Sequence, residues 1–80
     1  MNFTLIQGKY SPAEAISLLT GLVAEKIKFQ EEKIGKSSNE EDIKMREARI
    51  KQLQNELAEM RKNIRERKTE VELRSVIEIN

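Results

Sequence analysis

Ile34-Gly35-Lys36-Ser37-Ser38-Asn39-Glu40-Glu41-Asp42-Ile43, residues 34–43, reads as the end of one helix and the start of another. Gly35 suits the position just past a helix end. Lys33 and Lys36 flank it with the positive charge that such an end favours. Glu40, Glu41 and Asp42 then supply the negative charge that suits a first turn. Two capping boxes compete for that start: Ser38 with Glu41, and Ser37 with Glu40. A turn over residues 35–39 is short, so the two helices fold back as antiparallel neighbours. The expected centre of the fold is a long helical hairpin.

Upstream, Ser11-Pro12-Ala13-Glu14 is a capping box with proline at the first helical position. The first helix is expected from Pro12 to about Ile34. One stripe carries Ile16, Leu19, Val23, Ile27, Gln30 and Ile34. A second apolar stripe carries Ala15, Leu18, Leu22 and Phe29, so this helix has apolar surface for two neighbours. Gly21 falls on its polar face, at a cost of about 1 kcal/mol relative to alanine.

The second helix is expected over about 40–68, roughly 45 Å long. Its heptad seam is Ile43, Arg46, Ile50, Leu53, Leu57, Met60 and Ile64. Glu40–Lys44, Asp42–Arg46 and Glu47–Lys51 have the spacing of helical ion pairs. Folding about the turn matches Ile34 with Ile43, Ile27 with Ile50, Val23 with Leu53, Leu19 with Leu57 and Ile16 with Met60. Gln30 meets Arg46 or Glu47, forming a polar layer that fixes register or, less simply, a ligand site.

Both ends read as strands. Over about 2–7, Phe3 and Leu5 point one way and Thr4 and Ile6 the other. Over about 70–79, Val71, Leu73, Ser75, Ile77 and Ile79 alternate with Glu70, Glu72, Arg74, Val76 and Glu78. A helix running on through Val71 competes at the boundary, but the β-branched Val76-Ile77-Glu78-Ile79 opposes helix to the end. The hairpin brings these strands together. The fold class is α+β, mostly α, one domain over residues 1–80 in the order β-α-α-β.

Eighty residues with no cysteine and no histidine lack disulfides, thiolate sites and the usual neutral-pH acid–base side chain. A core of this size is marginal, and a partner subunit is the remaining source of burial. A two-stranded ribbon has the same need. A twofold homodimer is therefore expected, with Ala15, Leu18, Leu22, Phe29, Leu73 and Ile77 at its interface.

No glycine-rich loop, nucleophile elbow or metal motif occurs. Glu31-Glu32 and Glu40-Glu41-Asp42 read as solvated surface, so no catalytic site and no cofactor are expected. Fifteen basic residues balance fourteen acidic ones, which does not by itself indicate nucleic acid. Arg61, Lys62, Arg65, Arg67 and Lys68 nevertheless cluster at the end of the second helix. They serve either dipole complementarity or phosphate contact. Phe3 and Phe29 read as core, not as base-stacking platforms. No apolar run nears the roughly 18 residues of a membrane span. Residues 1–10 lack the pattern of a secretory signal, and a cytoplasmic protein with a homodimer or another protein as partner is expected.

Tyr10-Ser11-Pro12-Ala13-Glu14-Ala15, Lys26-Ile27-Lys28-Phe29, a charged second helix and terminal Val76-Ile77-Glu78-Ile79 resemble a group of small bacterial proteins. These share a strand, a helical hairpin and a closing strand. The resemblance implies a bacterial, strand-flanked hairpin and carries no activity or functional residues. A strand followed by two helices is also similar to ribbon-helix-helix DNA binders, but these helices are far longer and a second strand follows.

Overall fold

A computed structural model describes residues 1–80. The elements are β1 (Asn2–Tyr10), α1 (Pro12–Lys36), α2 (Glu40–Arg65) and β2 (Val71–Glu78). The order is the expected β-α-α-β. The two strands form one antiparallel ribbon, and no cis peptide bond occurs.

The start of α1 follows from its sequence. The Ser11 hydroxyl accepts from Glu14 N–H at 3.1 Å, and the Glu14 carboxylate accepts from Ser11 N–H at 2.9 Å. The start of α2 differs from both expected boxes. Asn39 is the cap: its Oδ1 accepts from Glu41 N–H at 2.9 Å and from Asp42 N–H at 3.1 Å. Ser37 instead accepts from Asn39 N–H and shapes the turn. The Asn39 carbonyl reaches two backbone donors at once, where a cap at Ser38 or Ser37 would have required the helix to begin one or two residues earlier.

Gly35 is not the residue that ends α1. The helix runs two residues past Ile34, and Ser37 caps it in extended conformation with its N–H donating to Ile34 O. The chain leaves without a left-handed residue, so no glycine is needed there. The one glycine with positive φ is Gly8, at 155°. A Cβ there would meet Tyr10 ring atoms only at 3.8 Å, an ordinary contact. Backbone conformation, not space, favours glycine at that point of β1.

α2 ends at Arg65, three residues before the expected limit. Arg67 N–H turns back to Ile64 O at 3.0 Å, and the chain bends through Lys68–Glu70 to enter β2. β1 extends to Tyr10, beyond the expected Gln7, because its pairing with β2 runs through Tyr10↔Val71. Asn2 pairs with Glu78 and Phe3 with Ile77, but the register shifts by one between Thr4 and Ile6. Leu5 is the extra residue of a β-bulge. The bulge breaks the simple alternation expected for β1. Phe3, opposite Ile77, now shares a face with Ile6, opposite Ser75.

Helices and ribbon meet at one end of the hairpin. Ala15 on α1, Ile64 on α2 and Val71 on β2 form the buried cluster, with Tyr10, Ile16, Leu19 and Leu73 packed against it. Val23 and Leu53, matched by the expected helix register, are both buried further along the hairpin. Hairpin and ribbon laid end to end would span about 65 Å. The longest extent is 47 Å and the next 32 Å, so the ribbon turns across the end of the hairpin.

Candidate interaction surface

The polar layer forms inside the hairpin. Arg46 Nη1 donates to Gln30 Oε1 at 2.8 Å, and Arg46 Nε pairs with Asp42 at 3.1 Å. The nearby Ser37 hydroxyl, and then the hydrogen bond from Arg46, hold the Asp42 carboxyl below its usual range. Every member is engaged within the chain, which fits a register-fixing role. Glu40–Lys44 and Glu47–Lys51 form no ion pair; Asp42–Arg46 is the single salt bridge. Exposed pairs gain little against side-chain entropy. The Glu14 carboxyl is also held below its usual range, first by Ser11 N–H and then by the Ser11 hydroxyl. No group of three acidic side chains converges as a metal site would require.

Two residues expected at a subunit interface belong to the chain's own core. Ala15 is fully buried against Ile64 and Val71, and Leu73 packs on the same cluster. A side chain as small as a methyl group is what lets α1, α2 and β2 close together there. Leu18 and Leu22 are half-buried. Phe29, expected as core or interface, is 54% exposed, with the Lys33 ammonium 5.5 Å from its ring centre.

The largest uncovered apolar area lies where the sequence suggested only Ile77. Of the eight large apolar side chains left exposed, six are Met1, Phe3, Leu5, Val76, Ile77 and Ile79. All lie at the free tip of the ribbon. The signal was available: Val71, Leu73, Ile77 and Ile79, interrupted only by Ser75, put apolar side chains along one face, while α1 and α2 reach only its beginning. Between α2 and β2 runs an open groove of about 540 Å³ whose apolar lining is Leu19, Met60, Ile64, Val71 and Leu73.

The basic residues do not form one helical face. Arg61, Lys62 and Arg65 lie on α2, while Arg67 and Lys68 fall in the bend beyond it. Arg67 Nε and Nη2 both donate to Asn63 Oδ1. Arg61 Nε is buried without a hydrogen-bond partner.

No family model, curated protein or solved structure matches this chain. No helix is long and apolar enough to cross a membrane.

Proposed function

We propose that this chain is a non-catalytic, self-associating interaction module that works by presenting its charged helices from an assembled apolar base. Its exposed surface carries the proposal. The accessible area is 6491 Å². A compact folded monomer of 9.3 kDa would expose about 5,000 Å². The excess, about 1,500 Å² per chain, is more than the roughly 800 Å² each partner buries in a standard interface. The radius of gyration agrees: 15.2 Å, against about 12 Å for a compact chain of this length. Only 6 of 80 residues are buried, too few to order so many residues without further burial.

Light scattering coupled to size exclusion tests this at micromolar concentration. The expected mass is twice that of the chain or a higher multiple. A monomer across the concentration range overturns the proposal.

A second function is favoured by one observation. Arg61, Lys62, Arg65 and Lys68 have no acidic partner within ion-pair distance, which leaves their charge free for phosphate contact. Retardation of a labelled duplex that weakens as salt rises supports it; an unchanged mobility at low salt ends it.

A further inference from the structure

From the ribbon geometry we infer that the partner is a second copy of this chain, joined edge to edge along β2 about a twofold axis at Val76. This pairing presupposes the self-association proposed above. It specifies the edge, the register and the residues that meet.

The open edges of the ribbon are unequal. β1 carries the bulge at Leu5 and the positive-φ Gly8. Both spoil an edge as a template for a further strand. β2 is unbroken over Val71–Glu78 and contains neither glycine nor proline. Its hydrogen-bonding direction can be read from the chain ends. The Met1 amino group donates to Ile79 O at 2.9 Å, and Ile79 N–H donates to Met1 O at 2.7 Å. Ile79 therefore bonds towards β1, and so by alternation do Ile77, Ser75, Leu73 and Val71. Glu72, Arg74, Val76 and Glu78 turn their backbone N–H and C=O groups to the open side.

The side chains select the register. Arg74 lies opposite Gln7 and Glu78 opposite Asn2. Neither charge has an ion-pair partner in its own chain. Pairing two copies of β2 with Val76 against Val76 sets Arg74 of each chain against Glu78 of the other, twice. It also sets Leu73 against Ile79 and Ser75 against Ile77 on the opposite face. Centring on Arg74 or on Glu78 instead opposes that residue to itself, a like-charge contact. Centring on Leu73 matches Glu72 with Arg74, but it leaves Ile77 and Ile79 against the bend residues Thr69 and Arg67.

The Val76 register covers the uncovered tip; the Ser75 register would cover it too, but it opposes Glu72 to Glu78, a like-charge contact. The axis is perpendicular to the sheet, so both hairpins lie on the same face of a four-stranded β1-β2-β2-β1 sheet. Antiparallel pairing carries the tip of one ribbon to the base of the other. Ile79 arrives beside Leu73 at the groove between α2 and β2. Ile77 and Phe3, exposed in the single chain, come to the side where the partner's helices stand.

Three sets of variants test this by light scattering, with circular dichroism reporting the fold. Val76→Pro removes an N–H that faces away from β1, so the ladder within the chain stays whole. It should weaken dimerisation at least tenfold with helix content retained. Arg74→Glu and Glu78→Arg should each weaken it on the order of tenfold, two cross-strand pairs being reversed in every dimer. The double variant Arg74→Glu/Glu78→Arg should restore it. In a chain without other cysteines, Val76→Cys should cross-link on mild oxidation. Its Cα–Cα separation across the axis would be about 5.5 Å, within disulfide range. Thr4→Cys, on the other edge, should not cross-link. A dimer that ignores Val76→Pro and both charge reversals, or that cross-links through Thr4→Cys alone, overturns the β2 edge while leaving self-association standing. A wild-type monomer overturns both.

Discussion

The two ends of β2 make an instructive pair. Val71 and Leu73 lie on the same face of β2 as Ile77, and Ile79, the residue just past its end, continues the same alternation. Val71 is 7% exposed, whereas Ile79 is 52% exposed. Composition does not separate them. The chain supplies Ala15 and Ile64 opposite the first pair and nothing opposite the second. Period-2 alternation encodes a face to be buried; it does not encode what buries it. The base of the ribbon is a finished core in miniature, and the tip is a surface that the chain itself leaves uncovered.

That contrast breaks most visibly under truncation. Ile64→Ala hollows the junction and should cost about 2–4 kcal/mol of folding stability at every protein concentration. For a chain with so small a core this is much of the total. Ile77→Ala should scarcely move the urea midpoint of dilute protein but lower it in concentrated protein, since a surface covered only on association stabilises only there. Equal, concentration-independent losses at the two positions would erase the difference between base and tip.

Deleting Leu5 sharpens the contrast between the edges. Without the extra residue Thr4 still meets Val76 and Phe3 still meets Ile77, but β1 becomes a regular edge. The deletion should leave folding intact and drive association beyond pairs, seen as a mass that climbs with concentration. A variant no more associated than the parent would show that the bulge does not blunt β1.

Much of this arrangement is written locally. Ser11, Pro12 and Glu14 announce the first helix because a cap needs only four neighbouring residues. The Gln30–Arg46 layer follows from helix spacing and one short turn. Asn39 as the cap is not legible locally, for a different reason. Ser37, Ser38 and Asn39 are all competent caps, and the choice among them depends on how the preceding helix ends. Ala15 falls on the second stripe of α1 by angle alone. Its burial comes from β2, more than fifty residues away, which no helical wheel contains. The ribbon tip follows the same logic: alternation exposes the apolar face, but the bulge at Leu5 decides which β1 side chains join it. A one-residue register shift leaves no mark in composition.

The hairpin can be strengthened without touching either end of the ribbon. Gly21 is helical and exposed, and a Cβ there meets nothing within 4 Å. Gly21→Ala should stabilise the chain by about 0.5–1 kcal/mol. The urea midpoint should rise equally in dilute and concentrated protein, because the site lies away from the tip. A gain confined to concentrated protein would place Gly21 at an interface instead.

The smallest effect separates the two regions by pH. Glu14 and Asp42 both titrate below their ordinary values of 4.5 and 3.8, and both belong to the hairpin, not to the tip. A carboxyl held below its unfolded value binds protons less readily when folded. Its contribution is therefore complete above the unfolded value and is lost as pH falls through the folded one. In dilute protein the urea midpoint should stay level from neutrality to about pH 5, then decline below about 4.5. Ser11→Ala removes the hydroxyl that helps to lower Glu14, so it should lower the plateau and make the acid decline shallower. Ile77→Ala, at the tip, should leave the shape of that decline unchanged. If Ser11→Ala keeps the full acid slope, the slope arises from carboxylates other than the one in the cap. The hairpin would then lose its separate signature in acid, and base and tip would differ only in what covers them.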